Sequence, residues 1–341
     1  MQRYPLLGMG GSLVHRLVAR TWSSVSRLAG LATGKPDAVY FSLESNAGKA
    51  LALPLLLLCR MRGLRVFVHH HGYSYVRKHD NLIPLIIRAV PDAVHIFQCE
   101  KMAIEFDGRY SRRAPAPLTL TNAFLVAQPR PQPRSLDDAS IRLGFMSGSH
   151  PVEKGLFRAL TVAGSTARHH PTTFEVAGPL DDATSKELSK VAHELNVELV
   201  LWGAVRESKA AFFSQLDYLL FPSTYRNETQ GIVNLEALSY GTPVLGIDQC
   251  CVRETIEPFG GAVFESEAEF LARAPATILS TVESTTAQQR SRTNATKQFS
   301  SQFDKSTNEL AALLAALLQP TPLVPARSST SARQLADERV N

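Results

Sequence analysis

The sequence predicts an α/β protein of two doubly wound domains, each a parallel sheet covered by helices on both faces. Three observations lead there. Short runs rich in Val, Ile, Phe and Leu alternate with longer stretches of helical period. The 341-residue length suits two domains at roughly 150 residues each. The stretch Val126-Ala-Gln-Pro-Arg-Pro-Gln-Pro-Arg134 lacks backbone donors and favours extended chain, so neither helix nor central strand continues through it. With 44% hydrophobic and 20% charged residues, the composition excludes fibrous, disulfide-stapled and mostly disordered chains.

Taken in order, the first-half strands are expected at Val39–Leu43, Val66–His69, Val94–Gln98 and Leu118–Thr121. Those of the second half are expected at Arg142–Met146, Phe174–Ala177, Val197–Trp202, Tyr218–Phe221, Pro243–Ile247 and Ala262–Phe264. The domains run over 1–137 and 138–318; Pro320, Pro322, Pro325 and the Ser/Thr-rich run beyond leave 319–341 a disordered tail. Only seven residues precede Gly8-Met-Gly-Gly11, so the first domain is expected to lack most of its first strand. Ligands should bind at the carboxyl ends of the strands, in the cleft between the domains.

Charge is unevenly shared. Residues 1–138 carry 18 Lys and Arg against 9 Asp and Glu, residues 139–341 carry 18 against 22. The basic half should meet an anion, a phosphorylated substrate or a membrane surface, unless it is only a solvated surface. No nucleic-acid recognition module is present, so nucleic acid is not expected as a partner. Arg60, Arg62, Arg65, Arg77, Lys78 and Arg88 flank the apolar segments Leu55–Leu58 and Leu82–Ile87, which suits anionic headgroups. The alternative is a buried crossover helix over Ala47–Arg62, kinked at Pro54. No run of about 20 apolar residues exists, since Ala50–Cys59 stops at Arg60. No secretory signal opens the chain, so a cytoplasmic location is expected. Cys59, Cys99, Cys250 and Cys251 form no C-x-x-C pattern and are expected to be reduced.

The densest signal is Ser223-Thr-Tyr-Arg-Asn-Glu-Thr-Gln-Gly-Ile-Val-Asn-Leu-Glu-Ala-Leu-Ser-Tyr-Gly-Thr-Pro-Val244. A loop at a strand's carboxyl end should lead into a helix from about Gly231 to Tyr240, stopped by Gly241 and barred from continuing by Pro243. Its first N–H groups and dipole would face the cleft and suit a phosphate. Glu236 sits on an apolar helix, so its carboxylate must be hydrogen-bonded or face the cleft. Two ribose hydroxyls would satisfy it, as would a neighbouring loop or an Arg. Glu228, taken alone, reads as a solvated loop residue. In Val66-Phe-Val-His-His-His-Gly72, alternation puts His69 and His71 on one face and His70 on the other, so no metal is expected there.

These residues together resemble the retaining glycosyltransferases of family 4, which have the two-domain GT-B fold and carry a Glu, seven residues, then a second Glu. Glu228 and Glu236 have that spacing, with Gly231, Ala237, Gly241, Thr242, Pro243 and Val244 in register and Glu254 matching a further Glu. The resemblance implies transfer, of hexosyl type and without metal or cofactor, from a nucleotide-sugar substrate to a polysaccharide or lipid-linked glycan. It implies that Glu228 bonds sugar hydroxyls and Glu236 the ribose. The backbone of Ile232 and Val233 would hold the diphosphate, Gly203 to Val205 would line the base, and His71 would support the sugar. Gly10 and Gly11 look like the family's glycine turn. Gly148-Ser-His-Pro-Val-Glu-Lys-Gly155 looks like its diphosphate loop, with Lys154 matching the Lys but Ser149 standing where the family has an Arg. Either the start of the helix at Gly231 and a nearby Arg such as Arg206 or Arg226 would then compensate, or turnover would be slow. Two other readings remain, a nucleotide-sugar epimerase of the same fold and a noncatalytic nucleotide-sugar binder, the latter favoured by Ser149 and the short N-terminus.

Overall fold

The computed structural model describes residues 36–43, 45, 47–111, 115–128, 140–205 and 207–319. Gly8 to Gly11 and the expected lack of a first strand, Arg206, the prolines of 129–139 and the tail from 320 lie outside them.

Among the described residues ten strands form two parallel sheets. The first contains β1 (Ala38–Leu43), β2 (Arg65–His70), β3 (Val94–Phe97) and β4 (Leu118–Thr119), in the order β1-β2-β3-β4. The second contains β5 (Ile141–Met146), β6 (Thr172–Ala177), β7 (Glu198–Gly203), β8 (Tyr218–Phe221), β9 (Val244–Ile247) and β10 (Gly261–Phe264), in the order β10-β9-β8-β5-β6-β7. Each run expected from the sequence is a strand, with ends displaced by no more than two residues. Strand order reverses at β5, which pairs with both β6 and β8, so the loops after β5 and β8 open the crevice where such sheets bind ligands.

Covering both faces of a parallel sheet demands near-continuous apolar strands, and β6 and β8 are buried throughout. Glu175 lies in β6 with no exposure. It survives there because Arg142 Nε (2.7 Å), Trp202 Nε1 (2.7 Å) and Gln215 Nε2 (2.6 Å) all donate to its carboxylate.

Several sequence expectations are corrected. Pro54 does not kink a helix: the segment begins as a 3-10 turn, Ala47–Leu51, and Pro54 falls in the first turn of the helix Ala52–Met61, where its missing N–H costs no hydrogen bond. That helix is neither wholly buried nor wholly peripheral. Leu55 and Leu56 face the core, while Leu57 is 47% and Met61 82% exposed. Arg65 is not available to a membrane, because its guanidinium donates to the carbonyls of Ala316 (2.7 Å) and Leu317 (2.9 Å), favourably placed at a helix C-terminus. The cysteines are not all reduced: Cys99 and Cys251, 152 residues apart, form a disulfide, while Cys59 and Cys250 are free and buried.

The helix Thr285–Leu318 begins on the second sheet and ends on the first. Its last turns, which the sequence assigns to the second domain, bring Leu310, Leu313 and Leu317 against Phe67, Ile96 and Leu120. Glu309 accepts from Thr119 Oγ1 (2.6 Å) and the Thr121 amide (2.8 Å). Among the described residues no helix is long and apolar enough to cross a membrane.

The alternation expected for the histidines is present. His69 and His71 lie together, ring centroids 3.9 Å apart, while His70 points the other way among Phe97, Phe106, Tyr75 and His95. Burial, then the neighbouring His71, pulls the His69 pKa from 6.5 down to about 3. The unfolded chain therefore binds a proton at this site below 6.5 that the folded chain refuses until about 3, so stability falls as pH drops through that window. His69→Asn is expected to flatten the acid limb of a urea-stability profile by up to about 1.4 kcal/mol per pH unit, and an unchanged slope between pH 4 and 6 would refute the assignment.

Candidate functional site

The carboxyl ends of both sheets meet at one seam. Beyond the disulfide, Lys101 Nζ reaches Asp248 (3.3 Å), the Lys101 amide reaches Glu254 (3.3 Å), and the Gln230 side chain bonds both Thr121 Oγ1 (2.5 Å) and the Asn122 amide (2.8 Å). Glu254 is thus a seam residue, with Lys305 at 3.7 Å from its other oxygen.

At the seam the segment after β8 does what its sequence predicts. The helix spans Ile232–Ser239, and Gly231 caps it at φ +67°, a left-handed conformation that favours glycine. A Cβ there would also lie 2.5 Å from the Phe221 ring, so Gly231 sets both the turn and the close packing of the helix on β8. Among the described residues no side chain caps the helix, and its first N–H groups, at Ile232 and Val233, are available to a ligand. Gly241, at φ +74°, ends it.

Two carboxylates flank this helix start, each held by a lysine. Glu228, 8% exposed, accepts from Lys154 Nζ (3.2 Å) and Ser223 Oγ (3.2 Å), so it is not the solvated residue it appears to be in isolation. Glu236 accepts from Lys209 Nζ at 2.6 Å through Oε1, the paired arrangement anticipated for it but with a lysine in place of an arginine. Lys154 is positioned by the loop before it. Gly155, at φ +93°, packs where a Cβ would stand 2.3 Å from the Pro222 carbonyl, and His150 stacks on Tyr225, whose ring lies 5.7 Å from Lys154 Nζ. Ser149 offers its carbonyl to Ser147 Oγ (2.6 Å) and supplies no charge. Arg226 is exposed.

Gly203 takes φ +61° at the end of β7, its carbonyl accepting from Gly178 N (2.7 Å), and Val205 is buried just beyond. In the first domain His71 stands after β2, followed by Gly72, where a Cβ would overlap Ser45 Oγ at 1.4 Å. Gln98 Nε2 donates to His71 Nδ1 (3.1 Å), which leaves the ring proton on Nε2. Burial lowers the His71 pKa and so favours this neutral form. The arrangement offers two carboxylate acceptors, a helix start and a lysine for an anion, and a neutral imidazole donor from the other domain. Sequence reasoning missed Lys209, Gln98 and the Ser223 hydroxyl. None has a local signal, since each partner lies on a different element or across a turn.

Residues 140–298 match the family model described as glycosyl transferases group 1. No curated protein matches the chain. Among solved structures it is similar to Staphylococcus aureus TarM with bound UDP (14% identity, TM-score 0.64, covering 89% of this chain and 59% of that one). It is also similar to Anabaena HepE with UDP (13%, 0.63, 88% and 82%) and to the lipopolysaccharide outer core galactosyltransferase WaaB (14%, 0.58, 89% and 83%). The chain spans little more than half the length of TarM, 53% and 59% in two of its structures. These likenesses, with the two parallel sheets meeting at their carboxyl ends, show the GT-B fold.

Proposed function

We propose that this chain is a retaining glycosyltransferase of family 4 that moves a sugar from a nucleotide-sugar donor to a polysaccharide or lipid-linked glycan. The observation that carries the reading is the pairing of Glu228 with Lys154 and of Glu236 with Lys209 around the uncapped helix start at Gly231. The group 1 match over residues 140–298 supports it.

Departure of the nucleoside diphosphate places negative charge on the leaving group while positive charge builds on the anomeric carbon. Preorganised donors at the leaving group supply the largest stabilisation. The N–H groups of Ile232 and Val233 and the Lys154 ammonium are those donors. Lys154 can serve Glu228 and a phosphate together, because an ammonium has three protons to give. Glu236 takes the ribose hydroxyls through the oxygen that Lys209 leaves free, the backbone from Gly203 to Val205 lines the base, and Glu228 bonds the sugar. His71 donates from Nε2 across the seam. No side chain acts as nucleophile in this scheme; the acceptor attacks the face that the diphosphate leaves, which retains configuration, and the charge is met without a metal. Closure of the domains excludes water.

Calorimetric titration with UDP, GDP and ADP should show binding of one nucleotide, weakened at least tenfold by Glu236→Ala and by Lys154→Ala. Failure of a folded chain to bind any of the three would overturn the reading. A second reading, a noncatalytic nucleotide-sugar binder, is favoured by Ser149 at the position of the family's Arg. It predicts binding with neither transfer nor sugar release, whereas an epimerase would turn over the sugar without an acceptor.

The acceptor surface is the basic first domain. Exposed Leu57, Met61 and Leu85 stand beside Arg60 and Arg88, whose helices are linked by Arg60 Nη1 donating to the Arg88 carbonyl (2.9 Å). This combination suits the anionic cytoplasmic leaflet. Flotation with anionic vesicles should carry the chain upward, and Met61→Glu with Leu57→Glu should abolish it; a chain left at the bottom with anionic vesicles would remove the membrane from the proposal.

A further inference from the structure

We infer that Cys99, Cys250 and Cys251 form a thiol–disulfide exchange site that ties the two domains together at the seam and that a small dithiol opens. Cys99 follows β3 in the first domain, and Cys251 stands just before the helix Val252–Ile256 in the second, with Cα atoms 5.7 Å apart. Cys250 adopts φ +50°, a left-handed backbone that residues other than glycine seldom take. Its sulfur lies 3.5 Å from that of Cys251, and the three sulfurs, all buried, lie within 4.8 Å of one another. Nothing in the transfer chemistry uses sulfur, yet three of the four cysteines of the chain converge here.

The tie reaches the loop that carries Glu228. The Cys251 amide donates to the Thr229 carbonyl (3.1 Å), and the Gln249 side chain donates to the Tyr225 carbonyl (2.5 Å), so the cysteine turn brackets that loop on both sides. The neighbouring links across the seam, Lys101 to Asp248 and to Glu254, are long and partly exposed. Surface pairs of this kind contribute little, which leaves the sulfur bond as the strong connection at this point.

Opening requires two electrons. A thiolate of the dithiol attacks one sulfur of the Cys99–Cys251 pair and breaks that bond, and its second thiol resolves the mixed disulfide. Cys99 and Cys251 leave as thiols, and the dithiol leaves as its cyclic disulfide. Cys250 provides a second partner without net oxidation. Its thiolate attacks Cys99 Sγ, Cys251 is expelled and takes up the proton that Cys250 lost, and the tie persists as Cys99–Cys250. Burial, then Glu105, pushes the Cys250 thiol well above its ordinary range, so this exchange is slow while the seam is closed.

The test uses the full chain purified without reductant, denatured and alkylated. Mass spectrometry should count two labelled thiols before dithiothreitol and four after. Cys251→Ser should keep a Cys99–Cys250 link, and Cys99→Ser should lose every link. Amide hydrogen exchange over 225–231 should accelerate at least threefold on reduction in the parent chain and not in Cys99→Ser. Four labelled thiols before reduction, unchanged amide exchange, or a stoichiometric zinc ion retained on a fully reduced trio would each overturn the inference. Its effect on nucleotide rests on the donor site proposed above. UDP affinity should shift at least threefold on reduction, and an unchanged affinity would overturn that coupling. Absence of UDP binding in either state would instead count against the donor site, because the thiol count judges the tie without nucleotide.

Discussion

Lys154→Ala is expected to lower turnover with the nucleotide sugar about 10²–10³-fold, the loss seen when one preorganised donor to a developing negative charge is removed. Lys154 is fixed by Gly155 against Pro222 and by Glu228, so its ammonium is in place before the charge develops. Ser149 supplies no second cation beside it. The substitution also strips Glu228 of its lysine counter-charge, with Ser223 Oγ the donor left to it among the described residues. Steady-state kinetics should show kcat falling more than KM rises, because the interaction strengthens as the bond to the diphosphate breaks. Lys154→Arg should recover part of the loss. A thermal melt within about 2 °C of the parent would separate this effect from damage to the fold, and a kcat within threefold of the parent would remove Lys154 from the chemistry.

The second large effect is on stability. Glu175→Leu should cost about 3 kcal/mol, because Arg142, Trp202 Nε1 and Gln215 Nε2 lose a shared acceptor inside the second sheet. The lower end of the usual range applies, since the Arg142 side chain keeps 25% exposure and can turn to water. Urea titration should show the midpoint falling at constant slope. Adding Arg142→Leu should recover part of the loss, as removing both members of a buried pair costs less than removing one. A double variant no more stable than the single would show that packing, not charge, sets the cost.

The sheets were readable because their strands are apolar runs bounded by Gly, Pro and Asn, and a parallel sheet buried on both faces leaves no other pattern. The helix start at Gly231 was readable for a similar reason: glycine at a left-handed cap and proline two residues past Gly241 are local demands that sequence records directly. Lys209 and Gln98 were not readable, because their partners Glu236 and His71 lie 27 residues away in each case and the contact is made only by folding. The Cys99–Cys251 bond was hidden in the same way, its two cysteines lying 152 residues apart. Glu175 carries a local signal in the sequence. A lone carboxylate inside Thr-Thr-Phe-Glu-Val-Ala, a strand bound for a doubly covered sheet, must have its donors waiting on neighbouring elements.

Because the helix Thr285–Leu318 returns to β2 and β3, the chain cannot finish folding in the order in which it is synthesised. The first sheet leaves the ribosome early, but the face formed by Phe67, Ile96 and Leu120 lacks the cover given by Leu310, Leu313 and Leu317 until those residues emerge. At about 5–20 residues per second, the nearly 200 residues between β4 and that helix end delay this cover by roughly 10–40 s. The half made first is therefore the half completed last, and during translation it is the natural site for a chaperone to hold.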